Sequence, residues 1–351
     1  MAKAQNPAEI LKSDSTKIHI GGYVDVYYGF DFNEPDGKNR PYFVNNSRHN
    51  EFAVNMAMLD FKFISPKARA IIRPAFGTFM QANYVAEPDM FRFLYEANAG
   101  IKLSRKKDIW LDAGIFYSPY TNESAISKDH LLYTRSLSPE YVPYYLNGLR
   151  ASVVLNNKLN LYLYLTNGWQ VIQDYNNHIC FGSQLEYRPN KKWLFNWNTF
   201  TGDTRSVSFP NYRTRLFSDV FYIWNKEGKF SSTGCVYAGI QERIDSTGKN
   251  NSYTWFSANI TGKASIDEGH FISARWEIFS DPDMIMIVPV TGVKGFVVNG
   301  ASVCYNWKIT ENIYFRTEGR GLFAEENVFY DKNDQPVNTS WFAVSSIAVW
   351  F

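Results

Sequence analysis

The chain lacks any apolar run near the roughly 18–20 residues that a membrane-spanning helix needs. Its longest candidate, Met284-Ile285-Met286-Ile287-Val288, soon breaks, which excludes a helical membrane protein. Neither sign of charge dominates. Lys+Arg number 36 and Asp+Glu 34 in 351 residues, a net +2, so there is no global basic field to hold a nucleic-acid backbone, and nucleic acid is not an expected partner. Cysteine is scarce: Cys180, Cys235 and Cys304 stand far apart without a CxxC, which supports neither a disulfide framework nor a zinc site. The five histidines, His19, His49, His130, His178 and His270, share no HExxH or HxH spacing, so no metal site and no cofactor are expected. There is no GxSxG elbow, and His178 has no serine of matching parity on a neighbouring segment, so the chain does not read as an enzyme.

Aromatic residues are abundant, with 27 Phe, 23 Tyr and 10 Trp, and the chain is 45% hydrophobic but only 20% charged. The dominant pattern is a unit of apolar residues alternating with small or polar ones, closed by turn residues and repeated from end to end. Period two predicts sixteen strands: 18–30, 51–64, 69–85, 91–103, 109–117, 144–155, 159–167, 177–188, 193–202, 212–225, 230–243, 251–261, 270–280, 295–307, 313–322 and 339–351. Their connections alternate between short turns and mostly longer loops, and only 86–90 spoils the alternation. A strand of about ten residues, rising roughly 3.3 Å each and tilted about 45°, climbs some 23 Å, close to the apolar band of about 25 Å in outer-membrane barrels. The fold class is therefore all-β, a transmembrane antiparallel up-and-down β-barrel with an even strand count, short periplasmic turns and long extracellular loops.

Charge obeys the parity such a barrel demands. In 159–167 the leucines 159, 161, 163 and 165 face one way and Asn160, Tyr162 and Tyr164 the other. Arg275 and Glu277 oppose Ile272, Ala274, Trp276 and Ile278, and Arg316, Glu318 and Arg320 share one parity. Strands 51–64 and 295–307 carry polar residues in both parities (Asn55 against Asp60, Asn299 against Asn306), which predicts bulges. A soluble lectin-like sandwich also alternates. Trp193, Phe195, Trp197, Tyr222, Trp224 and Trp341 near strand ends favour the membrane reading, because interfacial aromatic girdles belong there. The chain ends on Phe351, with Val349, Ile347 and Trp341 in its parity, which resembles the signal read by the barrel assembly machinery of bacterial outer membranes. At the other end, Ala2-Lys3-Ala4 reads as the stub of an A-x-A cleavage site behind an added Met. The expectation is a signal peptide absent from this chain, a periplasmic N-terminal extension at 1–17 and one barrel domain at 18–351.

Several stretches resemble one family. They are Leu94-Tyr95-Glu96-Ala97, Leu111-Asp112-Ala113-Gly114, Tyr133-Thr134-Arg135-Ser136, Pro143-Tyr144-Tyr145-Leu146-Asn147-Gly148 and Thr166-Asn167-Gly168-Trp169-Gln170. The chain is similar through them to the β-barrel porins of the OmpL-like type (porin-2) found in outer membranes of Bacteroidota. The resemblance implies a porin, a passive diffusion channel for small hydrophilic solutes, and leaves the solute open. A non-conducting receptor, adhesin or scaffold is the alternative function.

Sixteen strands about 4.8 Å apart, tilted about 40°, enclose a backbone diameter of roughly 32 Å, which wall side chains alone do not fill. The longest loop, 118–143, carries Glu123, Lys128, Asp129, Arg135 and Glu140 and is expected to fold inward as a constriction. Opposite it, the predicted pore-lining charges are Arg73, Arg92, Glu96, Arg213, Arg215, Asp219, Arg275, Glu277, Arg316, Glu318 and Arg320. They would set a transverse field that passes hydrophilic solutes and disfavours apolar ones. Equally, these arginines can pair with the carboxylates simply to stabilise the wall. Outer-membrane lipid and lipopolysaccharide are the expected surroundings, with self-association into a homo-oligomer left open.

Overall fold

The computed structural model describes residues 13–351. Residues 1–12, and with them Ala2-Lys3-Ala4 and most of the expected N-terminal extension, lie outside the described residues. Sixteen antiparallel strands form a closed barrel in which each strand pairs with its chain neighbours. The strands are β1 (Lys17–Asp31), β2 (Glu51–Ile64), β3 (Ala68–Phe76), β4 (Leu94–Lys102), β5 (Ile109–Tyr117), β6 (Tyr145–Asn156), β7 (Leu159–Thr166) and β8 (Cys180–Asn190). They continue as β9 (Trp193–Asp203), β10 (Tyr212–Trp224), β11 (Phe230–Ile244), β12 (Asn250–Ser265), β13 (His270–Asp281), β14 (Phe296–Thr310), β15 (Ile313–Ala324) and β16 (Thr339–Trp350). Closure comes from β1 meeting β16, in register from Tyr23↔Trp350 to Asp31↔Phe342. Phe351 extends that seam by exchanging two backbone hydrogen bonds with Gly22, each 3.1 Å. Its ring lies where a side chain on Gly22 would stand, so glycine is what lets the last residue seat there.

Alternation decides what each strand presents. On β7, Tyr162, Tyr164 and Thr166 are buried inside while Leu163 and Leu165 are exposed outside. On β13, Arg275, Glu277 and Phe279 turn in and Ile272 and Trp276 turn out. The outer face carries aromatic belts near the strand ends. Trp193 stacks on Phe195 at 5.1 Å and meets Trp224 at 6.0 Å at the short-turn end, and Phe323 meets Trp341 edge-on at 5.3 Å at the opposite end.

Two expectations need correction. Strand β3 stops at Phe76 rather than 85, because Gly77, at φ +128°, turns the chain into a short helix, α1 (Thr78–Asn83), that buries Phe79 and Met80. The loop that seemed too short therefore runs 77–93 and joins the long set, and on that side it is 245–249 that is as short as the turns opposite. Asn55 does sit at a register shift, opposite Asp25/Val26. The β13–β14 register, by contrast, is continuous past Asn299, which faces outward without a bulge; the irregularity in that strand comes at Lys308/Thr310, in its pairing with β15.

Candidate functional site: the charged interior and its inserted loop

Loop 118–144 leaves β5 and turns into the barrel. Its backbone has no ladder to satisfy it, and a buried peptide group must find partners elsewhere. Charged wall side chains supply them. Thr121 N donates to Asp219 at 2.5 Å, Leu137 N to Glu277 at 2.6 Å, and Tyr133 N and Thr134 N both donate to Glu318, at 3.0 and 2.7 Å. Arginines bind the loop carbonyls in the complementary sense. Arg316 donates to Ser127 O at 2.6 Å, Arg275 to Thr134 O and Arg320 to Arg135 O, both at 2.7 Å. Asn122 bonds Thr233 and Asn259, Ser138 bonds Ser257, and Tyr23 of β1 bonds Ser127. The loop is thus fastened to β1, β10, β11, β12, β13 and β15. Loop 32–50 also folds in: Arg40 pairs with Asp31 at 3.2 Å, and the Phe43 ring lies 4.5 Å from both the Arg40 and Arg320 guanidiniums.

Around the inserted loop the charges form a dry network. Arg275 lies 3.5 Å from Glu277, 3.5 Å from Glu123 and 3.6 Å from Glu318, and Arg320 meets Glu277 at 2.7 Å. Arg135 pairs with Glu140 at 2.9 Å, and Arg73 with Glu96 at 2.6 Å and Asp60 at 3.0 Å. Asp129 contributes its carbonyl, which accepts from Lys226 at 2.9 Å. On the loop, burial pushes the Glu140 carboxyl up despite Arg135. Burial, with Arg135 and Arg316 nearby, holds His130 well below the ordinary imidazole range.

The structure brings together Arg73, Glu96, Asp219, Arg275, Glu277, Arg316, Glu318 and Arg320 inside the wall, with Glu123, Asp129, Arg135 and Glu140 on the loop. Two residues expected to line the interior do not. Arg92 lies beyond β4, on loop 77–93, where it bonds the Glu87 and Val85 carbonyls and meets Asp89 at 3.0 Å. Arg213 stands at the β10 bulge and donates to the carbonyls of Pro210 and Tyr212 on its own rim. Sequence reasoning missed a second interior centre: Asp112 binds Arg69 and, at 3.3 Å, Arg150. Parity would have found it, since all three share the inward face, on β3, β5 and β6, with Gly100 of β4 leaving room between them.

Trp341, Ile347, Val349 and Phe351 all face outward along the seam strand and its end. Among the described residues no group of three or more His, Cys, Asp or Glu could hold a metal ion, and the three cysteines are free and buried.

The model of the family described as beta-barrel porin-2, OmpL-like matches residues 17–351. No curated protein matches the chain by sequence. The fold is shared with the outer-membrane channel DcaP of Acinetobacter baumannii at TM-score 0.66 and 9% identity, covering 97% of this chain and 99% of that one. OmpT of Vibrio cholerae, in its trimer form, matches at TM-score 0.61 and 8% identity over 96% and 100% of the two chains. The anion-selective porin of Comamonas acidovorans matches at TM-score 0.60 and 8% identity, with 96% and 100% covered.

Proposed function

The chain belongs to the β-barrel porin-2, OmpL-like family, and from that premise we propose that small hydrophilic solutes diffuse through the barrel past loop 118–144, which acts as its constriction. Membership in that family makes it an outer-membrane porin, favours a channel role over a receptor's or a scaffold's, and points to a channel rather than an enzyme. The observation that carries the constriction is the fastening of one loop around much of the barrel wall, by charged side chains of β10, β13 and β15 and neutral polar ones of β1, β11 and β12. Closed-barrel walls hold every backbone group in the ladder, so the bore is set by what stands inside. A charged, hydrogen-bonding interior offers a polar solute replacements for the water it sheds, and offers an apolar one nothing.

In this reading the short turns face the periplasm, the aromatic belts mark the two lipid interfaces, and Trp341, Ile347, Val349 and Phe351 present the outward stripe that the assembly machinery engages. Lipopolysaccharide meets the long-loop end. Purified barrel reconstituted into planar bilayers should give discrete conductance steps in KCl, and liposomes carrying it should swell in small sugars and amino acids but not in larger oligosaccharides. Bilayers that stay silent with a correctly folded barrel would refute the proposal.

A further inference from the structure

The interior arginines fall into two classes. Arg275 and Arg320 stand among carboxylates and loop carbonyls, and Arg316 donates to the loop carbonyls of Ser127, His130 and Leu132. Arg215, on β10, has neither kind of partner. It is 4% exposed, yet among the described residues no carboxylate oxygen lies within ion-pair distance, and its one hydrogen bond is from Nε to Gln241 at 2.7 Å. Its guanidinium lies 4.8 Å from the Trp169 ring and 5.1 Å from the Trp255 ring. Cation–π contact softens the cost of burial but provides no acceptor for the terminal N–H groups. The adjacent indole has an orphaned donor of its own: Trp255 Nε1 is sealed from solvent and has no acceptor. The nearby carboxylate of Asp281 is already spent on the backbone N–H groups of Ile285, Met286 and Ile287.

Buried charge without a counter-ion is expensive, and so is a buried donor without an acceptor. Here the two are neighbours, which is the donor set that a carboxylate satisfies: a planar guanidinium edge, able to bind two oxygens, beside an indole N–H. We propose that Arg215 and Trp255 form a binding subsite for a small organic carboxylate whose apolar part packs on the surrounding rings. The proposal deepens the porin reading by naming a solute class. Gly239, on β11, belongs to the design: a Cβ there would lie 2.1 Å from the Trp255 ring, so only glycine leaves room for the indole to lie as it does.

The test uses the full barrel in detergent and in bilayers, with sodium benzoate as probe and benzyl alcohol as its neutral counterpart. Benzoate should change the tryptophan emission saturably and reduce the KCl current over the same concentration range, and benzyl alcohol should do neither. Arg215→Gln should weaken the benzoate response by roughly tenfold or more, since a charge-assisted bidentate contact is lost. Arg215→Lys should recover part of it. Trp255→Phe, which keeps the ring and removes only the N–H, should weaken it by a few-fold and guards against misfolding of the charge variants. An unchanged response in Arg215→Gln and Trp255→Phe overturns the proposal, as does an equal response to benzyl alcohol. A conducting barrel with no saturable benzoate response defeats the subsite and leaves the porin reading standing. Saturable benzoate binding to a barrel that never conducts does the reverse.

Discussion

Glu318 is the wall residue whose removal best tests the seat of the constriction loop. It accepts from Tyr133 N at 3.0 Å, Thr134 N at 2.7 Å and Thr134 Oγ1 at 2.5 Å, and it is 1% exposed. Hydrogen bonds to a charged group contribute ~1.5–3 kcal/mol each, so three bound the loss at about 4–9 kcal/mol. The three share one carboxylate and are not additive, which brings the expected cost of Glu318→Ala to roughly 3–5 kcal/mol, or about two to four orders of magnitude in the docking equilibrium of the 131–136 segment. The rest of the loop keeps its anchors at Asp219 and Glu277, and Arg275 keeps Glu123 and Glu277 as partners. The barrel should therefore still fold, migrate as a heat-modifiable band and insert. Its single-channel current should rise and become noisier, and its liposomes should admit larger sugars. Glu318→Gln, which retains an acceptor oxygen, should fall between it and the wild type. Unaltered conductance and an unaltered size limit in Glu318→Ala would show that this segment is not what narrows the bore.

Acid should loosen the same loop. The His130 pKa is lowered, so the unfolded imidazole takes up a proton that the seated one refuses; stability present above the ordinary histidine range is lost as pH falls through it. A protonated His130 faces Arg135, Arg316 and Lys226, and conductance should rise on acidification in the wild type but not in His130→Gln. Asp112→Ala removes the buried carboxylate that Arg69 and Arg150 share and should cost ~3–5 kcal/mol in urea unfolding from detergent or lipid. Leu163→Arg places a charge on the lipid face and should cost about 2–4 kcal/mol if that position lies near the bilayer midplane, measured the same way; a cost near zero would deny that this face meets hydrocarbon. Gly148 has φ +154° in β6, and a Cβ would come within 1.9 Å of the Leu165 carbonyl oxygen, a backbone atom that cannot step aside. Gly148→Ala should accordingly slow or abolish assembly, read as loss of the folded band in refolding assays.

The barrel was legible because its two solvents write the sequence in alternate positions: Leu159, Leu161, Leu163 and Leu165 can only share a face with hydrocarbon if Tyr162 and Tyr164 share the other with the interior. Sixteen segments of membrane-crossing length, joined by turns of alternating size, then leave little choice of topology. Residues 69–85 misled because apolar residues continue past Phe76 into α1, so that periodicity alone carried the strand through Gly77, a residue whose left-handed backbone ends it. Arg92 followed the same error, its strand beginning at Leu94 and not at 91. Arg213 has the inward parity of Arg215, but the bulge at the rim of β10 breaks the count between them. The docking of loop 32–50 left no local mark at all. Arg40 against Asp31 and Phe43 between two guanidiniums are contacts made across the fold, and no spacing within the loop announces them.

The interior is better described as a protein core built from charges than as a lined tube. A paired guanidinium and carboxylate present a dipole whose field falls faster with distance than that of a lone charge, and in a low-dielectric surrounding that difference is magnified. Arg275 and Arg320, matched by Glu123, Glu277 and Glu318, therefore exert their force at hydrogen-bond range, where the loop backbone lies, and Arg316 is held there by the carbonyls of Ser127, His130 and Leu132. They hold the loop, and they project little field along the bore. Arg215 has neither a carboxylate within ion-pair distance nor a loop carbonyl to hold it. On the proposed reading, positioning and selection belong to different strands: β13 and β15 fix where the constriction stands, and Arg215 of β10 with Trp255 of β12 selects which charge is drawn toward it.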